Sequence, residues 1–304
     1  MKLGLLTAAF PGVALTEVAD WAAGNGFASL EVACWPRGDD AGRRYAGVSH
    51  IDVTAPAPEL TAVVADLAGR GIEISALGYY PNNMHPDLDH RAQVNDHTKA
   101  VIAAAGVMGV PVVNTFIGAD ASKPLARNIA ESHDMVTGLV EAARAAGVKL
   151  AIENCPMIFS ADEWPGGHNL FYSPATWREV FGWFDDDTLG LNLDPSHLVW
   201  QMIDIERVVR EFADRIYHVH AKDLMIDREG LYAHGVMSAG MGWQVPRVPG
   251  LGEVPWGRFI AALYRAGYQG HVVVEHEDRT FEGTDALVKA GFLIARNTVS
   301  RYVV

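Results

Sequence analysis

Apolar residues fall along this chain in two alternating rhythms. Short blocks dominated by Val, Ile, Leu and Ala recur at 3–8, 29–34, 72–78, 110–117, 149–154, 189–194, 216–222 and 271–275. Each is near-continuously apolar, as a strand covered on both faces should be. Between them lie segments with helical spacing: "TEVADWAAGNG", "APELTAVVADLAGRG", "NDHTKAVIAAAGVMG", "NIAESHDMVTGLVEAARAAG", "SPATWREVFGWF", "DIERVVREFADR", "WGRFIAALYRAG" and "GTDALVKAGFLIARNTVS". Several stop at glycine (Gly24, Gly71, Gly109, Gly147, Gly267), and Ser173-Pro174 reads as a helix start with proline in the first turn. Strand and helix alternate from end to end with no linker, repeat or low-complexity stretch. The pattern predicts a single (β/α)8 TIM barrel over 1–304. A doubly wound open sheet would carry a Gly-rich phosphate loop after its first strand, and "AAFPGVALTEV" is not one. Two βα connections are unusually long, 155–172 and 224–255. Barrels build their pockets from such loops.

Composition narrows the class. With 304 residues, 49% hydrophobic and 20% charged, the chain is an ordinary globular protein, and α/β barrels reach this length as one domain. A net charge of -13 leaves no basic stripe to displace counterions from a phosphate backbone, so nucleic acid is excluded as a partner. Cys34 and Cys155 are too few for a disulfide framework, and a reducing cytoplasm is the expected location. The start "MKLGLLTAAFPGVAL" has the lysine-then-apolar look of a signal peptide. Pro11-Gly12 breaks the run, however, and it fits a first buried strand better. No apolar run is long enough to span a bilayer, and no membrane association is expected.

Chemistry gathers at the ends of the late strands. In "RIYHVHAKD" strand alternation puts His218, His220 and Lys222 on one face and Tyr217, Val219 and Ala221 on the other. Strand five ends at Glu153, strand six at Asp194 with His197 just beyond, strand seven at His220 and strand eight at Glu275. In a barrel these carboxyl ends ring one mouth. Three carboxylates there would repel unless some stayed protonated. A divalent ion held by Glu153, Asp194, His220 and Glu275 removes the conflict. Three oxygens and one imidazole favour Mn²⁺, with Mg²⁺, Co²⁺ and Zn²⁺ also admitted. For any one residue a helix cap or salt bridge is a serious rival; four at equivalent positions point to a shared ion.

The segments "GFASLEV", "AGVKLAIEN", "LGLNLDPSH", "HVHAKD" and "GHVVVEHED" together resemble the xylose isomerase-like barrels, the sugar phosphate isomerase/epimerase family, over nearly the full chain. The resemblance implies that Glu153, Asp194, His220 and Glu275 hold one divalent metal. It also implies that Glu153 and Glu275 act as acid and base on a sugar or polyol. Members are often dimers or tetramers, so a homo-oligomer is expected, with a hetero-complex left open. One departure stands out. Ketose epimerases of the family carry an arginine shortly after the strand-seven histidine, whereas "HAKDLMIDR" has Lys222 and no arginine before Arg228. "HxKD" looks more like the inosose dehydratases.

The chemistry follows from residue types as well. A metal on a sugar carbonyl lowers the cost of an enediolate, and a carboxylate on each side can remove a proton and return one. The leading reading is a metal-dependent isomerase or epimerase of a ketose or keto-polyol. The runner-up is a lyase that expels a β-substituent from a keto sugar or inosose after the same first step. An endonuclease would need more histidines and a basic surface, and a non-catalytic sugar-binding subunit would not need the metal. For substrate contacts, His197 either orients Asp194 or contacts a hydroxyl, or else is a solvated turn histidine. Lys222 either stabilises an oxyanion or pairs with Asp223 or Glu253. Glu31 either touches substrate or supports another residue. Trp164, His168 and Tyr172 from the first long loop, and His234, Trp243 and Arg247 from the second, are candidate pocket walls, or else parts of loops packed on themselves. No phosphate cradle is evident, which favours an unphosphorylated ligand.

Overall fold

All eight expected strands form, each shorter than its apolar block, although the first starts one residue earlier, at Lys2. In the computed structural model, which describes residues 1–38, 46–158, 167–238 and 242–303, they are β1 (Lys2–Leu6), β2 (Ser29–Ala33), β3 (Glu73–Gly78), β4 (Val112–Thr115), β5 (Lys149–Glu153), β6 (Leu189–Leu193), β7 (Ile216–Ala221) and β10 (His271–Val274). They pair in parallel in the order β1-β10-β7-β6-β5-β4-β3-β2 and close into a barrel, the single (β/α)8 fold that the pattern predicts. The helices around it are α1 (Leu15–Gly24), α2 (Ala57–Gly69), α3 (Leu88–Met108), α4 (Leu125–Ala146), α5 (Pro174–Phe181), the short α6 (Ser196–Trp200), α7 (Ile205–Glu211), α8 (Arg228–His234), α9 (Trp256–Arg265) and α10 (Asp285–Val299). Helix α3 begins well before the apolar spacing suggests. Asp87 caps it, its Oδ1 accepting from the Asp89 and His90 amides at 3.0 Å each, so a polar first turn that buries little is held by its cap.

Alternation along β7 fails at one position, and the failure has a cause. Leu191 of β6 pairs with Ile216, but Asn192 pairs with His218, which leaves Tyr217 as the extra residue of a bulge. Its ring packs on Ala76, Val112 and Ala151 and does not follow Val219 and Ala221. Gly190 makes the room, because a Cβ there would lie 2.3 Å from the Tyr217 ring. The tyrosine thus fills the amino-terminal end of the barrel beneath a set of polar residues.

That polar set occupies the middle of the barrel. His218 is fully buried, with Nδ1 3.0 Å from Asn192 Oδ1 and 3.1 Å from Asn114 Nδ2, and Nε2 3.2 Å from Ser75 Oγ. Burial pushes its pKa down to about 3; Glu31 opposes the shift, and His220 and His271 add to it. The unfolded chain, with an ordinary histidine near 6.5, therefore binds more protons below that pH than the folded one. Stability that is present above pH 6.5 is lost as the pH falls toward 3, by about 2 kcal/mol at pH 5 from this residue. Urea unfolding at pH 7 and pH 5 should show a smaller loss in His218→Gln than in the parent protein. Equal losses would remove His218 from the account.

Among its described residues, the long connection after β7 carries secondary structure of its own. It opens with β8 (Asp223–Ile226), passes through α8 and returns as β9 (Gln244–Arg247) in an antiparallel ribbon that the sequence pattern did not anticipate. Asp223, fully buried, pins the return. Its Oδ1 accepts from the Leu224 and Val254 amides, and its Oδ2 from the Gly250 amide and Trp256 Nε1, all at 2.9 Å. Trp243 is buried against Trp200 and Leu224 under the ribbon. Cys34 and Cys155 are both free thiols. Among the described residues no helix is long and apolar enough to cross a membrane.

Candidate active site

The site is assembled by strand ends and by the turns that follow them. Glu153 closes β5. Asn169, from the returning loop, donates to the carbonyls of Glu153 (2.9 Å) and Cys155 (2.7 Å) and fixes the strand end. Asp194 follows β6, and Asn154 clamps its backbone from both sides, accepting from Asp194 N at 2.7 Å and donating to Asp194 O at 3.0 Å. One Asp194 oxygen, Oδ1, accepts from the Ser196 amide at 2.8 Å as the chain turns into α6. The other, Oδ2, is left for the site. His220 and Lys222 come from β7 and the residue beyond it, and Glu275 and Glu277 follow β10.

These groups converge. Glu153, His220 and Glu275 form one set whose ligand atoms lie within 4.8 Å of one another; Glu153, Asp194 and His197 form a second. The four expected metal donors therefore meet as two triads that share Glu153, with His197 completing the second. Lys222 Nζ lies among them, 2.8 Å from Glu275 Oε2, 3.2 Å from Asp194 Oδ2, 3.2 Å from Glu277 Oε2 and 3.9 Å from Glu153 Oε1. Asp223 and Glu253, the partners considered for Lys222, are engaged elsewhere. Asp223 holds the ribbon, and Glu253 pairs with Arg228 at 2.9 Å.

The support beneath His220 decides which of its nitrogens faces the site. Nε2 lies 2.7 Å from Glu31 Oε2, and the Tyr80 hydroxyl donates to the other oxygen of the same buried carboxylate. A carboxylate only accepts, so Nε2 carries the proton and donates to Glu31. Nδ1 then faces two further carboxylates, Glu275 Oε2 at 3.2 Å and Glu153 Oε1 at 3.6 Å. A ring nitrogen facing two anions needs positive charge there, either a proton on the nitrogen or, with its lone pair free, a cation between them. Burial opposes charging of the imidazole, but Glu31 and Glu275 outweigh it and push the His220 pKa well up. The Asp194 pKa is raised by burial, with Lys222 offsetting part of the shift. Glu153 Oε1, Asp194 Oδ2, His197 Nε2 and His220 Nδ1 are all buried and lack hydrogen-bond partners. A converging donor set of carboxylate oxygens and imidazole nitrogen, met here only by ion pairing with Lys222 and the histidines, fits a divalent ion.

Other expected contacts are distributed differently. Glu31 is fully buried behind His220, a support and not a wall of the cavity. His197 is buried, Nε2 3.2 Å from Asp194 Oδ2 and 3.5 Å from Glu153 Oε1. It is not a solvated turn residue. Arg247 is turned to Asp278, Nε to Oδ2 2.9 Å. His168 and Tyr172 are half-buried, His234 is exposed and Trp243 belongs to the ribbon core, and none of them lines the cavity beside Lys222. Trp164 lies outside the described residues. The cavity, about 100 Å³, is instead lined by Leu6, Trp35, Tyr80 and Phe116 after the early strands and by Glu153, Met157, Lys222, Glu275 and Glu277 after the late ones. Trp35, Tyr80 and Phe116 each follow an early strand closely, and Glu277 follows the last. The strand-end rule used for the late strands would have found all four.

Comparison with known proteins agrees with the fold. A model of the xylose isomerase-like TIM barrel family matches residues 19–296. An uncharacterized protein, YfiH, of Bacillus subtilis (strain 168) is 33% identical over 176 residues, covering 54% of this chain and 51% of that protein. Inosose dehydratase of Lacticaseibacillus casei is 32% identical over 95 residues, 31% of this chain and 32% of the enzyme. The matches thus span about half and a third of these relatives' own lengths. Among solved structures, IolI protein with a bound zinc atom superposes with a TM-score of 0.70 at 17% identity, covering 99% of each chain. D-psicose 3-epimerase with D-tagatose, from Clostridium cellulolyticum H10, gives 0.68 at 17% identity over 100% of this chain and 99% of that one.

Proposed function

The chain belongs to the xylose isomerase-like TIM barrel family, and on that premise we propose that it is a divalent-metal-dependent isomerase or epimerase of a ketose or keto-polyol. In this reading Glu153, Asp194, His220 and Glu275 hold the ion, Mn²⁺ by preference. When bound, the ion supplies Lewis-acid polarisation of a sugar carbonyl. Glu153 and Glu275, on strands that reach the cavity from different sides, take a proton from the carbon beside that carbonyl and return one. His197 orients Asp194 and Glu153, and Lys222 offers its ammonium to the developing enediolate oxygen. Leu6, Trp35 and Phe116 exclude water and cover the apolar face of the sugar. The observation that carries the reading is the Glu31–His220 pair, which fixes the ring so that Nδ1 opens onto Glu153 and Glu275.

A second reading, β-elimination from an inosose or other keto sugar, is favoured by one feature. Lys222, where ketose epimerases carry arginine nearby, lines the cavity and reaches Glu275. Such a lysine can hand a proton to a leaving hydroxyl. The similarity to inosose dehydratase supports this branch. One experiment separates the two. The Mn²⁺-loaded protein is incubated in D₂O with free ketoses and inososes, and the products are read by mass and ultraviolet absorption. A deuterated isomer one mass unit heavier is expected; loss of water with a new ultraviolet band would select the lyase. Absence of exchange and of product with Mn²⁺, Mg²⁺, Co²⁺ and Zn²⁺ alike would end both.

A further inference from the structure

Lys222 competes, atom for atom, with any ion held by the carboxylates. Its Nζ lies 2.8 Å from Glu275 Oε2, 3.2 Å from Asp194 Oδ2 and 3.9 Å from Glu153 Oε1. Two of these oxygens, Glu275 Oε2 and Glu153 Oε1, are the ones that face His220 Nδ1. A divalent ion bonds such oxygens at roughly 2.0–2.2 Å. A cation that close to all three oxygens would sit against the ammonium, and like charges at that range repel strongly inside a barrel. The side chain, only 3% exposed, has little solvent to retreat into. It does have one further carboxylate within reach that belongs to neither donor triad. Glu277 Oε2 is 3.2 Å away, its side chain is 33% exposed, and it lines the same cavity.

We propose that Lys222 has two stations, one on the metal's carboxylates and one on Glu277, and that Glu277 sets metal affinity by drawing the ammonium away from the ion's place. The inference rests on the metal reading above and adds a residue to it. Glu277 is a positioning residue that acts on the metal through Lys222. With the ion in place, the ammonium held by Glu277 stands at the cavity wall, where the oxygen of a substrate arrives. Metal loading and delivery of a positive charge to the substrate are thereby one event. Removing the lysine frees the oxygens and tightens metal binding. Removing the Glu277 charge returns the ammonium to the shared oxygens and weakens binding, but only while the lysine is present.

The test is a double-mutant cycle read on metal binding alone, by competition of Mn²⁺ and Zn²⁺ against a fluorescent chelator with the full-length protein. Lys222→Met is expected to bind the ion about tenfold or more tightly than the parent, and Glu277→Gln about tenfold more weakly. In the Lys222→Met background, Glu277→Gln should change the dissociation constant by less than about twofold. Simple loss of one negative charge predicts the same weakening in both backgrounds, and that result would overturn the two-station assignment. So would a Lys222→Met protein that binds no more tightly than the parent. Lys222→Gln, which keeps a hydrogen-bond donor at the site, serves if the methionine variant does not fold, and the same tightening is required of it. A parent protein that binds neither ion would instead overturn the metal reading itself, and this inference with it.

Discussion

Glu153→Gln should purify as a folded protein, carry far less metal than the parent and turn over roughly 10²–10⁴ times more slowly. The substitution keeps the volume of a side chain that is only 2% exposed, so the barrel has no packing reason to fail. What it removes is a charge that both donor triads use and an oxygen able to accept and return a proton. Burial raises the Glu153 pKa, but His197, His220 and Lys222 outweigh it and hold the carboxyl ionised; a neutral amide meets those three partners with no charge at all. Elemental analysis of the purified variant and kcat at saturating Mn²⁺ measure the two effects separately. Full metal content with full activity would remove Glu153 from the mechanism.

Asp223→Ala should be the most destabilising single change outside the site, by about 3–5 kcal/mol. The buried carboxylate is the common acceptor for three backbone amides and one indole N–H, and alanine leaves all four without a partner. The loss falls on the junction between β8 and the return to α9, so a lower urea midpoint should come with earlier proteolysis between residues 224 and 255. Asp223→Asn, which retains one acceptor oxygen, should fall between. An alanine variant as stable as the parent would mean that the ribbon is held by its own pairing and by Trp243.

Much of this molecule is legible in the sequence because its strands are short, apolar and separated by capped helices. The eight barrel strands read directly as apolar blocks; some blocks overran their strands with apolar residues, as at Phe116 and Ile117, and the late ones by the single polar residue Asn154, Asp194, Lys222 or Glu275 that follows each strand. Residues that act at strand ends were legible by position: Glu153, Asp194, His220 and Glu275 do meet at one mouth. Residues whose role depends on a partner distant in sequence were not. Glu31 and His220 are far apart along the chain, and only barrel closure sets the carboxylate beneath the ring. Tyr217 violated alternation because a bulge is a property of the β6–β7 pair, not of β7 alone. The long loops misled for another reason. Aromatic residues there, Trp243 above all, cover their own ribbon, while the cavity takes its rings from the early strands.

The cavity is lined unevenly: its rings come mostly from the ends of β2–β4, and all its charged groups, beside Cys155, Met157 and His276, come from the ends of β5, β7 and β10. A pyranose or cyclitol also has two unlike faces, one presenting C–H bonds and the other hydroxyls. Seated here, such a ring would have one favoured way up, because turned over it would press hydroxyls against Trp35 and Phe116. The face that a ring-shaped ligand would turn toward the charged groups is in this sense set by which half of the barrel each strand occupies, before any single contact selects among ligands.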